Sequence, residues 1–197
     1  MAVGKNAHRL GSRLVLRVLL TLGVVLGSLL AVAAPAHASE PAPDTATATF
    51  EIDFMQDMID HHAMAVMMGE MCLEKAIHEE LRALCEQIIA TQNQEIATMQ
   101  AWLQDWYGVS YEPEMTKGEM QRMHKLHELS GAEFEIAFME MMIRHHRQAI
   151  REAERCVDRA YHDELMTLCQ NIIESQSAEI EQMQTWLCEW YGICKQS

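Results

Sequence analysis

Two pairs of adjacent histidines, His61 with His62 and His145 with His146, are the side chains of this 197-residue chain best suited to chemistry. Neutral imidazole is a ligand for borderline and soft metal ions, and the methionine thioether selects the softest of them, Cu(I) and by the same logic Ag(I). Met64, Met67, Met68 and Met71 follow the first pair closely, in a chain whose 16 methionines far exceed ordinary usage. On a helix, His61, Met64 and Met68 share a face. The positions matching the four methionines after the second pair are Gln148, Arg151, Glu152 and Arg155. Adjacent helical residues point about 100° apart, so one histidine of each pair can ligate while the other packs or caps. Gln92, Glu95 and Met99 form another single-face series, which Gln176, Glu179 and Met183 repeat. If those faces oppose the histidines in an antiparallel hairpin, imidazole, carboxylate and thioether converge between helices. Met120, Met123, His124 and His127 make a looser cluster, its histidines at a chelating i, i+3 spacing. The plainer alternative is that methionine fills core gaps and the histidines hydrogen-bond buried Glu and Gln.

Several enzymatic chemistries are excluded. Di-iron and di-manganese bundles use Glu-x-x-His on two helices, and no histidine here has a glutamate three residues before it. The G-x-S-x-G, H-E-x-x-H and glycine-rich phosphate motifs are also missing. No catalytic residue is assigned, and the chain is expected not to be an enzyme.

The elements that must position these side chains come from a duplication. Residues 50–108 and 134–192 align without a gap at a constant offset of 84, about half the positions being identical. Each copy has the three-and-four apolar spacing of two helices, with a break near 75–78 in the first. Gly108 and Gly192 suit helix C-terminal stops. Cys72 and Cys85 are thirteen apart, and Cys156 and Cys169 repeat this. Across a helical hairpin such positions face each other within disulfide reach, and both bonds are expected. Cys188 and Cys194 have no counterpart in the first copy, and whether they bond is left open. Residues 109–133 form a connector with a short helix over 119–129, and the Pro-, Ala- and Thr-rich stretch 39–49 is expected to be a disordered tail. The fold class is therefore all-α, two duplicated helical hairpins plus a connecting helix.

The first 38 residues have the grammar of a secretory signal peptide: a basic start, an apolar run over 14–34 and an A-x-A cleavage signal at Ala36-His37-Ala38. An uncut leader would instead be long enough to anchor the chain in a membrane. The leader holds four basic residues and no acidic one, so removing it takes the formal net charge from −14 to −18. Such a surface repels nucleic acid and attracts cations. Six cysteines in an exported chain also suit disulfides.

The segment FMQDMIDHHAMAV, the tail Q-x-x-E-I-x-x-M-Q-x-W-L and the second-copy MHKLHELSGAEFEIAFMEMMIRHH resemble the family catalogued as domain of unknown function 305, which includes the copper-binding CopM-like proteins. The resemblance covers nearly all of residues 50–192. It implies a ferritin-like four-helix bundle and a role in binding Cu(I) or Ag(I) outside the cytoplasm. The family's histidine pair carries onto His61, His62, His145 and His146, and its Met-rich segment onto Met64, Met67, Met68 and Met71 alone. The family's usual proline before the histidines is Asp60 here, and Arg144 in the second copy. The expected function is secreted or periplasmic copper binding for homeostasis or resistance, by sequestration or transfer. A structural or adaptor bundle without metal, or a metal-dependent oxidase, are the alternatives. The expected partners are metal ions and a copper-transport protein, with homo-oligomerisation open; no organic cofactor is implied.

Overall fold

The computed structural model describes residues 40–194, so the expected leader and its cleavage signal lie outside the described residues. Five helices and no strands are found among them: α1 Thr45–Lys75, α2 Glu79–Tyr107, α3 Lys117–His127, α4 Gly131–Arg159 and α5 Asp163–Tyr191. None is long and apolar enough to cross a membrane. The helix ends follow local chemistry. Asp44 caps α1 by accepting the Thr47 amide, and Thr116 and Glu119 form a reciprocal capping box on α3. Gly108 and Gly192 stop α2 and α5 at φ of 65° and 68°, a left-handed conformation that costs other residues more.

The stretch expected to be a disordered tail needs correction. From Thr45 onward it is helix, Ala42 is buried, and the Glu40 carbonyl lies 2.8 Å from His162 Nε2. The cap at Asp44 and these contacts with the second copy outweigh a composition that by itself suggests disorder.

Within each copy the hairpin packs on itself, α1 on α2 and α4 on α5, and the two copies meet where α1 crosses α4. Both expected hairpin disulfides are present, Cys72–Cys85 and Cys156–Cys169, each with Cα atoms 6.3 Å apart. A third, Cys188–Cys194, ties the chain back onto α5 just past its glycine stop. Two apolar clusters form the core. One joins Met64, Met68 and Ile88 of the first copy to Phe134, Phe138 and Met183 of the second. The other joins Phe54, Ile59 and Trp106 to Ala149, Leu165 and Ile172. The start of each first helix thus packs with the end of the other, so α1 and α4 run antiparallel.

The copies are clasped by two fully buried carboxylates. Glu135 on α4 enters the α1–α2 turn, where it accepts hydrogen bonds from the Ile77 and His78 amides at 2.6 and 2.8 Å, from His78 Nδ1 at 2.6 Å and from the Tyr191 hydroxyl. Glu51 on α1 does the same for the α4–α5 turn, accepting from the Tyr161 and His162 amides, His162 Nδ1 and the Tyr107 hydroxyl. Each turn histidine stacks on a tryptophan of the opposite copy, His78 on Trp190 and His162 on Trp106, at 3.9 and 3.7 Å between ring centres. Burial alone would raise the Glu135 carboxyl, but the bonds from Tyr191, His78 and Ile77 outweigh it and hold it below its ordinary 4.5.

Removing one partner of such a buried cluster leaves the others unpaired, so Glu135→Ala should cost about 3 kcal/mol, read as a lower urea midpoint at unchanged slope. Because the Glu135 pKa is lowered on folding, its stabilisation is complete above pH 4.5 and is lost as the pH falls through the lowered value. Acidification below 4.5 should therefore narrow the stability gap between parent and variant; a gap constant with pH would contradict this role.

Candidate metal centre

Where α1 crosses α4, midway between the two apolar clusters, the histidine pairs come together. His61 and His145 face each other with ring centres 3.5 Å apart and planes tilted by 30°. Their neighbours point away, as adjacent helical positions must, and are fully buried against the second helix of their own hairpin. His62 Nε2 lies 2.7 Å from Glu95 Oε2, and His146 Nε2 lies 2.6 Å from Glu179 Oε2. Gln92 and Gln176, one turn before those carboxylates, are buried in the same layer. The expected opposition of the Gln-Glu-Met faces to the histidines is thus met in both hairpins, and Met99 and Met183 lie fully buried one turn further on, each in a different apolar cluster.

The layer is unusual in what it leaves unpaired. Both ring nitrogens of His61 and of His145, Nδ1 of His62 and of His146, and the side-chain oxygens of Gln92 and Gln176 are buried without a hydrogen-bond partner in the protein. Buried polar atoms are ordinarily paired, and each exception asks for a reason. Burial, reinforced by the neighbouring His62 and His146, pushes His61 down to about 3. Burial and the other three histidines hold His145 well below its ordinary 6.5. The backbone of the facing histidine opposes this on each ring but is outweighed. Both rings are therefore neutral near pH 7 and keep a lone pair for an electrophile.

Among the described residues no three His, Cys, Asp or Glu side chains converge as a metal cage. The donors on offer are facing imidazoles and thioethers, a set suited to a soft ion of low coordination number. Of the first-copy methionines, Met64 and Met68 are buried in the core cluster, Met71 packs against it half-exposed, and Met67 is exposed. The first two thus serve as core side chains, whatever else they do. Burial divides the connector cluster. Met123 turns inward beside Leu126, whereas Met120, His124 and His127 are exposed, and His124 pairs with Glu128 at 3.5 Å. The four positions share one arc of the helix, but the stripe that packs inward runs through Met123 and Leu126, so only the methionine at the edge of that arc is buried.

Sequence reasoning passed over Met58 and its duplicate Met142, each one turn before a histidine pair, and the clasping Glu51 and Glu135. Their signal was identity between the copies, the same one that selected Glu95 and Glu179. Met58 and His61 line a cleft of about 490 Å³ in which the carboxylates of Asp53, Asp57, Asp60, Glu114, Glu119 and Glu152 outnumber two guanidinium groups, Arg155 and Arg159. Burial, and then the like charges of Asp53 and Asp60, raise the Asp57 carboxyl. His61 therefore opens towards the acidic side of the molecule. In the second copy Arg144 stands where Asp60 stands in the first, and the exposed Gln148, Arg151 and Arg155 replace sulfurs, Arg155 pairing with Glu152.

The family model for Domain of unknown function (DUF305) matches residues 51–187. No curated protein matches the chain. Among solved structures, CopM in the Cu(I)-bound form is 34% identical at a TM-score of 0.65, over 72% of this chain and 98% of that one. CopM in the Ag-bound form obtained by co-crystallization is 35% identical, with the same score and coverage. A DUF305 protein from Streptomyces coelicolor is 30% identical at 0.63, over 71% of this chain and 91% of that one.

The different burial of these side chains separates packing from ligation in the metal-free protein. Glu95→Ala leaves the ring of the fully buried His62 without its partner and should cost about 2 kcal/mol. Met64→Leu with Met68→Leu conserves apolar volume and should cost less than about 1.5 kcal/mol. Urea unfolding of the two variants checks the order, and a reversed order would make the sulfurs, not the carboxylate, the structural element of the layer.

Proposed function

Because the chain belongs to the DUF305 family and is similar to CopM, solved with Cu(I) and with silver bound, we propose that it is an extracytoplasmic protein that binds Cu(I), and Ag(I) by the same chemistry, without catalysing a reaction on it. The observation that carries this reading is the pair of facing, neutral, unpartnered imidazoles of His61 and His145 at the α1–α4 crossing. Copper here is cargo. Ligation by imidazole requires the neutral ring, and burial has already removed the proton that a metal would have to displace.

In this reading His61 and His145 are the principal donors, with Met58 beside His61 supplying a soft sulfur. Glu95 and Glu179 hold His62 and His146, fixing the ring orientations of the layer as outer partners of a metal site do. Met67 and Met71, the sulfurs nearest the surface of α1, provide a handover point, and the acidic cleft raises the local concentration of cations. The four long helices are read as a ferritin-like bundle, supported by the antiparallel packing of the two hairpins around a polar layer that such bundles use for metals. Three disulfides favour an oxidising compartment outside the cytoplasm. The proposed role is sequestration of the ion or its transfer to a copper-transport protein.

A Cu(I) titration against a competing chromophoric chelator tests the proposal. The parent should compete, and His61→Leu with His145→Leu should lose more than the roughly 10–100-fold that removal of an outer partner costs. Replacing Met64, Met67, Met68 and Met71 together by Leu should weaken binding less. Affinity unchanged in the histidine variant and lost in the methionine variant would move the site to α1 alone, and no binding by the parent would leave a structural bundle.

A further inference from the structure

The duplication puts two equivalent grooves on the molecule, and one of them shows what fits the other. In the first copy, the chain leaving α2 runs over the groove between α1 and α2. Tyr111 packs on the apolar cluster there, its hydroxyl donates to Asp60 Oδ2 at 2.8 Å, and its carbonyl accepts from Gln100 Nε2 at 2.9 Å. The Glu114 amide donates to Asp60 Oδ1 at 2.7 Å. An extended segment, residues 109–114, is thus held by two side chains, Asp60 and Gln100.

Their equivalents in the second copy are Arg144 and Gln184. These line a groove of about 340 Å³ between α4 and α5, floored by Ile143 and Leu187, with Glu140, Arg147 and Ile193 at its edge; the exposed Arg144 has Glu140 4.0 Å away, a loose surface pair that leaves most of the guanidinium's donors open. No described segment runs over it in the way that residues 109–114 run over the first. The Cys188–Cys194 disulfide turns the chain back at the groove's rim. Beneath the covered groove Ile59 and Leu103 have no exposed surface, whereas Ile143 and Leu187 keep 5% and 4%.

We propose that the α4–α5 groove is a docking site for an extended acidic peptide segment of a partner protein, seated as residues 109–114 are seated in the first copy. Gln184 keeps the chemistry of Gln100 and donates its amide to a backbone carbonyl. Arg144 reverses that of Asp60. A carboxylate accepts from a tyrosine hydroxyl, whereas a guanidinium donates and so calls for an acceptor at that place, best met by a carboxylate. Arg147, where the first copy has Ala63, adds a second positive charge on an otherwise strongly acidic protein. The inference is independent of copper binding.

The test is a specificity swap followed by amide NMR. Two capped peptides are titrated into the protein: Val-Ser-Tyr-Glu-Pro-Glu, the connector's own sequence, and Val-Ser-Glu-Glu-Pro-Glu, with glutamate at the tyrosine position. The parent should bind the glutamate peptide more tightly, by about fivefold for one exposed charge pair, with shifts centred on Ile143, Gln184 and Leu187. Arg144→Asp should invert the preference in favour of the tyrosine peptide, and Gln184→Ala should weaken both. Equal binding of both peptides, shifts elsewhere, or no binding by either would overturn the proposal. So would concentration-dependent shifts without peptide that vanish in Arg144→Asp, since the occupant would then be a second copy of this chain.

Discussion

Two buried carboxylates determine how the halves of this protein fit together. Glu51 and Glu135 are each without exposed surface, and a carboxylate in that position is tolerable only if several donors reach it. Neither helix that carries them can supply those donors, because its amides are spent within the helix. The donors come from the turn of the other copy, where the amides at a helix N-terminus are unsatisfied by construction. Each hairpin therefore completes the other's turn and is completed in return. Once both clasps are closed, α1 and α4 must run antiparallel and cross near their middles, and the histidine pairs lie at that crossing.

The layer at the crossing is the converse of the clasps. In the clasps the polar groups are saturated with hydrogen bonds; in the layer the rings of His61 and His145 are left without partners. Burial between the apolar clusters, together with the crowding of four imidazoles, lowers the pKa of both rings and keeps them neutral. Neutrality favours a soft ion over a proton, which connects packing directly to the proposed chemistry.

Duplication has since been used unequally. The first copy has sulfur and acid around its histidines and its groove is covered by the connector. The second carries arginines at the matching places and an extra disulfide at the end of its last helix. The shared residues are those of the clasps, the layer and the core. The divergent ones lie mainly on the surface, where a change of charge costs little stability.

Much of this was legible beforehand. Spacing of apolar residues located the helices to within a few positions, because burying one face of a helix needs that period whatever lies opposite. The cysteine pairs followed from hairpin geometry, and the contact of His62 with Glu95 from the duplicated face on the second helix. All of these are short-range or lie within one hairpin, where chain connectivity leaves few arrangements. Composition misjudged the segment before α1, since its order depends on a contact with His162 in the other copy. The methionines of α1 could not be divided into buried and exposed until α4 was in place. The facing of His61 and His145 and the exchange of Glu51 and Glu135 join residues of different copies, from 57 to 111 positions apart. Sequence alone determined which side chains both copies keep; only the crossing of α1 over α4 decided which of them meet, because that angle is set by packing between copies and by no local rule.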